Sequence, residues 1–173
     1  MRAVKTTIGS MALLLGALLS GCDRVAVGDI QPGLSTTADL RAKMGEPYSI
    51  RQLDDAAGGG PRQIWTYPLG PEGTRTYFVH IAPDGRIERI DNVLTENHFA
   101  RIQPGMTRAE VESVIGPHGR EQRFALSPGE VTFKYKFTRQ NEDLFFDVVY
   151  DVGSGRVKST GYDEFSARRD SAR

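Results

Sequence analysis

The sequence predicts an α+β fold made of two tandem copies of one module, each a short helix or helix pair on a three-stranded antiparallel meander. Three observations predict it: an internal repeat of about 71 residues, a capped short helix in each copy, and alternating apolar residues after each helix. Hydrophobic residues make up 39% of the 173 positions, which is ordinary for a globular chain. We expect modules over residues 30–92 and 93–165, and a disordered tail over 166–173.

The repeat begins with two nearly identical pentapeptides. Ile30–Leu34 reads Ile-Gln-Pro-Gly-Leu, and Ile102–Met106 reads Ile-Gln-Pro-Gly-Met. In each copy there follow a threonine, an acidic residue three positions later, an apolar residue with glycine, and a proline: Thr36, Asp39, Met44-Gly45 and Pro47, then Thr107, Glu110, Ile115-Gly116 and Pro117. A threonine with an acidic residue three positions on forms a capping box, and glycine fits the left-handed position after a helix. We therefore predict a helix of about eight residues in each copy.

Alternating apolar residues after each helix predict the strands. Trp65 and Tyr67 begin this pattern in the first copy, and an antiparallel turn is expected at Pro83–Gly85. In the second copy, Lys134 and Lys136 alternate with aromatic residues, which predicts one apolar and one solvated face. The other alternating apolar residues are Tyr77, Val79 and Ile81 in the first copy, and Phe133, Tyr135, Phe137, Leu144, Phe146, Val148, Tyr150 and Val152 in the second.

Connections and packing complete this picture. Hairpin loops are expected at Pro68–Thr74 and Arg139–Asp143, which are rich in turn-forming residues. Thr95–Arg101 predicts an additional short helix with Phe99 and Ile102 turned inward. The two modules are expected to share an interface, with their outer sheet faces forming one continuous surface. The aromatic residues that open the strands are predicted to fill the helix–sheet core, with an exposed recognition patch as the alternative: Trp65, Tyr67, Phe133 and Tyr135.

The N-terminal segment predicts export and lipid attachment. Arg2 and Lys5 precede Ile8–Leu19, an apolar run of roughly a dozen residues, which is too short to cross a bilayer as a helix. The run ends Leu19-Ser20-Gly21-Cys22, the pattern of a bacterial lipobox. We expect a signal peptide over 1–21, acyl chains such as palmitate on Cys22, and a short tether over 22–29 on the periplasmic side. Two or three acyl chains hold a protein stably on a membrane.

The identity of that membrane is less constrained by the sequence. Asp23, directly after the cysteine, is a feature that retains some lipoproteins at the inner membrane. The family resemblance described below favours the outer membrane, and we take that as the expectation.

Composition argues against nucleic acid as a partner. The full sequence has 22 basic and 22 acidic residues, and without residues 1–21 it has 20 basic and 22 acidic ones. Nucleic-acid binding depends on clustered Lys and Arg, and the one basic cluster lies in the C-terminal tail. That cluster consists of Arg168, Arg169 and Arg173, which we interpret as a solvated chain end. The single cysteine excludes a disulfide within the chain.

No motif in the sequence predicts catalysis, a cofactor or a metal. The three histidines, His80, His98 and His118, are widely spaced and are expected at ordinary surface or edge positions. The acidic pairs Asp54-Asp55 and Glu142-Asp143 are interpreted as solvated loop charges. The glycines that precede Pro61 are interpreted as a flexible loop, since no Gly-Lys-Ser/Thr follows: Gly58, Gly59 and Gly60.

The motifs of the second copy resemble those of the BamE (SmpA/OmlA) family, small lipoproteins of the outer-membrane β-barrel assembly machinery. The resemblance covers roughly residues 30–165, and the first copy keeps the Trp65-x-Tyr67 pair typical of the start of the family's sheet. It is carried by Leu94-Thr95-Glu96, Ile102 to Thr107 with its Gly-Met-Thr signature, Glu110-Val111, and Ile115-Gly116-Pro117. A tandem pair of such modules also occurs in the β-lactamase inhibitor protein fold.

The resemblance implies an ααβββ fold in duplicate, no catalysis, and work done through protein contacts. It therefore implies a membrane-anchored periplasmic scaffold or accessory factor in envelope biogenesis, with a β-barrel assembly component as the expected protein partner. The alternative, from the tandem arrangement, is an inhibitor of a periplasmic enzyme. The one site residue that the sequence supports is Cys22, as the point of lipidation.

Overall fold

The computed structural model describes residues 26–53, 60–69, 73–117 and 119–163. A single 3₁₀ turn (Ala26–Asp29) precedes α1 (Thr37–Met44), β1 (Ser49–Leu53), β2 (Arg62–Pro68), β3 (Thr76–Ile81) and β4 (Ile87–Asn92). The same order follows in α2 (Glu96–Phe99), α3 (Arg108–Ile115), β5 (Arg120–Gln122), β6 (Glu130–Arg139), β7 (Glu142–Asp151) and β8 (Arg156–Asp163). The architecture is α+β, as predicted. Among the described residues, no helix is long and apolar enough to span a membrane.

The strands form two separate antiparallel sheets with the same topology. The first sheet has the order β1-β2-β3-β4, and the second has the order β5-β6-β7-β8. The predicted count of three strands per module was therefore wrong, since each sheet has four. The missed strands, β1 and β5, are mostly polar edge strands, and no alternation of apolar residues marks them in the sequence.

Both capping boxes form as predicted, and they explain where α1 and α3 begin. The Thr36 N–H donates to Asp39 Oδ2 (2.8 Å), and the Thr107 N–H donates to Glu110 Oε2 (2.7 Å). In return, each threonine hydroxyl accepts from the backbone N–H of its acidic partner. Both helices are eight residues long. Helices of this length are marginal alone, so their stability comes from packing on the sheets.

Glycine ends both helices, with a backbone that other residues rarely adopt. Gly45 and Gly116 each have φ 76°, as the sequence predicts for this position. Their ψ angles, −161° and −171°, are extended and do not complete a left-handed turn. This region is essentially restricted to glycine. The chain therefore leaves each helix directly toward the first strand of its own sheet.

The repeated Pro-Gly pentapeptide has a structural explanation. In each module this loop pairs with the start of the last strand: Gly33 N–H donates to the Ile87 carbonyl (2.7 Å), and Gly105 N–H donates to the Val157 carbonyl (2.8 Å). An arginine at the start of that strand also binds the loop. Arg86 donates to the Gly33 carbonyl (3.3 Å), and Arg156 donates to the Gly105 carbonyl (2.7 Å). The repeated pentapeptide therefore joins the loop before the helix to the last strand of the sheet in both modules.

Each helix covers the inner face of its own sheet. In the first module, Leu40 of α1 is fully buried against the sheet, and Arg41 lies 4.5 Å from the centre of the Trp65 ring. In the second module, α2 adds Phe99, whose ring stacks on Phe146 at 4.2 Å. The prediction that the strand-opening aromatics fill the core is confirmed, because all four are buried: Trp65, Tyr67, Phe133 and Tyr135.

Part of the outer face of the first sheet is also buried, which the sequence did not predict. Ile64, Phe78 and Val93 form a small core cluster there. The end of α3 lies against the same face, where a Cβ placed on Gly116 would be 2.6 Å from Thr76 Cγ2 and 3.7 Å from Phe78 Cε1. The two outer sheet faces therefore do not form one continuous exposed surface. The second module instead packs its α3 terminus on the first sheet.

Candidate interaction surfaces

An apolar double turn between β5 and β6 is the most exposed hydrophobic feature of the described chain. Leu126 is 98% exposed and Phe124 is 48% exposed. The Ser127 N–H donates to the Phe124 carbonyl, and the Glu130 N–H donates to the Ser127 carbonyl, both at 3.0 Å. These bonds close two consecutive turns and place Leu126 at the corner of the first. A large apolar side chain held outward in this way has no role in the core of its own chain.

The double turn is fixed to the rest of the second sheet and extended by one more apolar residue. The Val152 N–H donates to the Gly129 carbonyl (2.9 Å), which joins the double turn to the β7–β8 connection. Val152 is itself 48% exposed, although the sequence pattern placed it in a continuing strand. We name Phe124, Leu126 and Val152 the apolar tip. It lies at one end of the second sheet.

Charged residues beside the apolar tip are paired with one another. Arg123 Nε lies 3.0 Å from Glu121 Oε1, and Lys158 contacts Glu130. Because both signs are interleaved, these pairs do not form the basic collar that attracts anionic lipid surfaces. An apolar tip with balanced charges is typical of a contact with a protein, where an exposed aromatic or aliphatic residue enters an apolar pocket.

A buried ionic cluster lies on the outer face of the second sheet. Lys134, expected on a solvated face, has a side chain only 3% exposed. Its ammonium bonds Asp147 Oδ1 and Oδ2 at 2.8 and 2.6 Å, and Asp163 Oδ2 at 3.0 Å. The fully buried Phe145 lies beside this ammonium at 5.4 Å. Burial raises the pKa of Asp147, and Lys134 opposes that shift.

The prediction of a wet face was therefore wrong at Lys134. A lysine between aromatic residues reads as solvent-facing, because a lone buried ammonium is very costly. Here, two carboxylates from β7 and β8 compensate its charge, and the sequence does not show that those strands lie beside it. The cluster therefore links β6, β7 and β8 on one face of the sheet.

A cleft of about 290 Å³ lies between the two modules. The first module contributes Tyr48, Pro68, Gly73 and Thr76, and the remaining lining residues are Leu94, Arg108, Pro117, Gly119, Tyr135 and Lys136. Arg108 and Lys136 are each paired with an acidic residue of the second module, Glu112 at 2.8 Å and Asp143 at 3.4 Å. Among the described residues, the lining of the cleft brings aromatic and cationic side chains together without a carboxylate.

The predicted surface histidines have more defined environments than expected. His80 Nε2 lies 3.0 Å from Asp91 Oδ2 and 3.0 Å from an Arg89 nitrogen, and its side chain is 15% exposed. Burial first, and Arg89 second, lower the pKa of His80. His98 Nδ1 contacts the Thr95 hydroxyl at 2.8 Å, at the start of α2. His118 lies outside the described residues.

Of the other candidate residues from the sequence, some lie in the described part of the chain and some lie outside it. Glu142 and Asp143 were expected in a loop but open β7, and Asp143 accepts a hydrogen bond from the Thr138 hydroxyl (3.0 Å). The turn itself is Gln140-Asn141, both with positive φ. Cys22, Asp54, Asp55, Gly58 and Gly59 lie outside the described residues. Within the described part of the chain, no group of three or more His, Cys, Asp or Glu residues is arranged to hold a metal ion.

Comparison with known proteins gives distant structural similarities. No family model matches the chain, and no curated protein matches its sequence. A Streptococcus mutans crystal structure named "putative beta-lactamase inhibitor protein" is 10% identical, with a TM-score of 0.32, over 82% of this chain and 94% of that one. A DUF4309 family protein (YjgB) from Bacillus subtilis is 16% identical, with a TM-score of 0.28, over 78% of this chain and 82% of that one. These scores are too low to assign an overall fold or function, so the BamE resemblance rests on its sequence motifs.

Proposed function

We propose that this chain is a lipid-anchored periplasmic lipoprotein that acts by binding another protein, as an accessory scaffold in envelope biogenesis. The apolar tip is the observation that carries the binding role, because Leu126 is almost fully exposed on a turn that the backbone holds in place. Burying an exposed leucine in a partner contributes about 1.5–3 kcal/mol. The lipobox ending in Cys22 supports the anchor, and the motifs of residues 94–117 support an assembly component as partner.

The anchor is tested by fractionation of cells that express the wild-type chain or Cys22→Ala. We expect the wild type in the membrane fraction and the variant released from it, because the thiol is the proposed point of acylation. Density separation of the two membranes then distinguishes outer-membrane placement from the inner-membrane retention that Asp23 favours. A Cys22→Ala protein that stays with the membrane as the wild type does would refute the lipid anchor.

The binding surface is tested by a photo-crosslinking amino acid placed at position 126 in living cells. Position 34 is the matched control, because Leu34 is also an exposed leucine (68%) but lies in the first module. We expect a protein adduct from position 126 and none from position 34. Leu126→Asp should abolish co-purification of the same protein without lowering the Tm, since the side chain has almost no contacts to lose. Absence of any adduct at position 126 argues against the proposal.

Inhibition of a periplasmic enzyme is the second candidate function. The observation that favours it is the same hydrogen-bonded turn, which leaves the side chain of Leu126 almost fully exposed and able to enter a pocket on another protein. Assays of periplasmic hydrolases, β-lactamases included, with and without the full chain would test it. Inhibition by the wild type that Leu126→Asp removes would support an inhibitor, whereas an adduct with an assembly component and no inhibition would support the scaffold.

A further inference from the structure

Among the described residues, the outer strand of the second sheet, β8, has one edge that pairs with no other strand. β8 pairs with β7 on one side, and five consecutive residues, Lys158–Tyr162, are exposed. On the other side, the bonds to described segments are those of Val157: its N–H donates to the Met106 carbonyl (2.8 Å), and its carbonyl accepts from Gly105. This edge lies toward the opposite end of the sheet from the apolar tip, so it is a separate surface.

The register identifies which backbone groups point outward along this edge. The Val152 N–H donates to the Gly129 carbonyl on the β6 side. The backbone N–H and C=O groups of even-numbered residues of β7 therefore point toward β6, and those of odd-numbered residues point toward β8. Ser159 and Gly161 are the partners of Val149 and Asp147, so they face β7. Thr160 and Tyr162 therefore direct their N–H and C=O groups away from the sheet. The outward N–H and C=O groups of these two residues could form the backbone hydrogen bonds of one additional strand.

The first sheet provides an internal comparison, because β4 occupies the equivalent place. Its edge carries charged residues in ion pairs, with Arg89 Nε 2.8 Å from Asp91 Oδ2 and Glu88 3.4 Å from Arg62. Charged side chains of this kind protect an edge strand from pairing with another chain. Counting from Ile87 and Val157, which make the same contacts, Arg89 and Asp91 correspond to Ser159 and Gly161. The second sheet therefore lacks a counterpart of the Arg89–Asp91 pair, although Lys158 and Glu130 pair where the first sheet has Glu88 and Arg62.

The side chains around the β8 edge define the chemistry that fits it. On the inner face, Tyr162 is exposed while packing on Phe146 at 5.5 Å, which leaves an aromatic surface for an apolar neighbour. On the outer face, Gly161 has open space where a Cβ would lie, and its cross-strand partner is the carboxylate of Asp147. Asp147 and Asp163 share one ammonium, that of Lys134, so a cationic side chain from the edge could add a second positive charge beside these two carboxylates.

We propose that the β8 edge, from Ser159 to Asp163, receives an extended segment of a partner polypeptide, with Lys or Arg opposite Gly161 and apolar residues on either side of it. The segment adds a fifth strand to the second sheet through the outward groups of Thr160 and Tyr162. Main-chain bonds supply affinity in this mode, and alternate side chains supply specificity.

The proposal is first tested on the free protein, as the full-length chain extracted in a non-ionic detergent. Amide hydrogen exchange by NMR should show fast exchange for Thr160 and Tyr162 and slow exchange for Ser159 and Gly161. Slow exchange at Thr160 and Tyr162 in dilute protein would overturn the proposal, because it would show that the edge is already filled. Protection that appears only as protein concentration rises would also overturn it, in favour of pairing with a second copy.

The second test uses a blocked nine-residue peptide with the central sequence Thr-Val-Lys-Val-Thr. We expect it to bind and to slow exchange at Thr160 and Tyr162. N-methylation of both valines should raise the Kd about thirtyfold, as loss of two hydrogen bonds of about 1 kcal/mol each predicts. A peptide with Glu in place of Lys should also bind more weakly. Absence of binding by the Lys peptide, or equal affinity of all three peptides, would overturn the proposal.

Proline variants connect the peptide result to this edge. Thr160→Pro removes the outward N–H and should abolish binding, whereas edge positions tolerate proline because that N–H has no partner in the sheet. Thr160→Val, which keeps the outward N–H at the same exposed position, is the matched control and should leave binding unchanged. Equal binding by the wild type and a folded Thr160→Pro would place the peptide elsewhere. If Thr160→Pro does not fold, the N-methylated peptide still decides the outcome.

Discussion

At the scale of single residues, the two helix-ending glycines show how one backbone requirement can have two different environments. Gly45 and Gly116 share φ 76°, which explains why both copies of the repeat require glycine. A Cβ on Gly45 would meet nothing within 4 Å, whereas one on Gly116 would lie 2.6 Å from Thr76 Cγ2. The backbone conformation is thus a local property, and the close approach is a property of the module interface.

We expect Gly116→Ala to destabilise the protein more than Gly45→Ala. Both variants carry the strain of a positive φ, about 1–3 kcal/mol, and Gly116→Ala adds an overpacking cost of about 1–3 kcal/mol. Urea unfolding of the two variants and the wild type measures the difference in free energy. An equal loss in both variants would contradict the close contact between α3 and the first sheet.

Lys134 is the other residue whose importance depends on its surroundings. Lys134→Met leaves Asp147 and Asp163 without the ammonium that both contact, and breaking a buried ion pair from one side costs about 3–5 kcal/mol. Lys158→Met is the control, since Lys158 lies in the same sheet and its side chain, paired with Glu130, is 59% exposed. For that variant we expect a loss of no more than about 1 kcal/mol. Thermal or urea unfolding would distinguish the two, and similar losses would contradict the burial of the Lys134 cluster.

At the scale of elements, short helices depend on their ends. The backbone N–H of Thr107 and then its hydroxyl lower the pKa of Glu110, and Thr36 does the same for Asp39. A carboxyl group with a lowered pKa in the folded state stabilises the fold above its unfolded pKa. That contribution is lost as pH falls through the lowered folded value. The helix starts are therefore acid-sensitive, and this follows from a motif that is visible in the sequence.

Glu110→Gln tests this pH dependence directly. Glutamine keeps an oxygen that can accept the Thr107 N–H, but it has no charge to titrate. We expect the stability difference between wild type and variant to be constant at neutral pH and to shrink as pH falls below about 4.5, the ordinary value for glutamate. Thermal unfolding from pH 7 to pH 3 measures it. A difference that grows at low pH would mean that the sign of the shift is wrong.

At the scale of the whole molecule, the described contacts join the two modules through the end of α3. Arg51 of β1 donates to the Ser113 carbonyl (3.3 Å), and Gly116 lies against Thr76 and Phe78. The part of the first sheet's outer face around Phe78 is apolar and buried, so separation of the modules would expose Phe78 and its neighbours to water. The two modules should therefore unfold together.

Trp65 makes this prediction measurable, because it is the one tryptophan in the sequence and lies in the core of the first module. We expect the urea transition followed by Trp65 fluorescence to coincide with the transition followed by far-UV circular dichroism. Gly116→Ala, a change in the second module, should shift the fluorescence transition to lower urea. A fluorescence transition that the variant leaves unmoved would show that the modules unfold independently.

Much of the fold could be predicted because its signals are local. The capping boxes, the helix-ending glycines, the inward Phe99 and Ile102 and the aromatic core all follow from spacing along the chain. The edge strands β1 and β5 escaped prediction because strands without a buried face need no apolar alternation. The apolar tip was missed for the opposite reason: Phe124 and Leu126 resemble core residues, and only the double turn shows that they point outward.

By itself, the sequence determined the duplication, the start and end of each helix, and the expectation of a lipid anchor at Cys22, because each of these depends on residues that are neighbours along the chain. Tertiary structure decided which polar residues are buried and which apolar residues are exposed. Lys134 is buried because carboxylates of β7 and β8 reach it, and the outer face of the first sheet is covered because α3 ends against it. Such outcomes depend on segments brought together by folding, and no pattern along the chain records them.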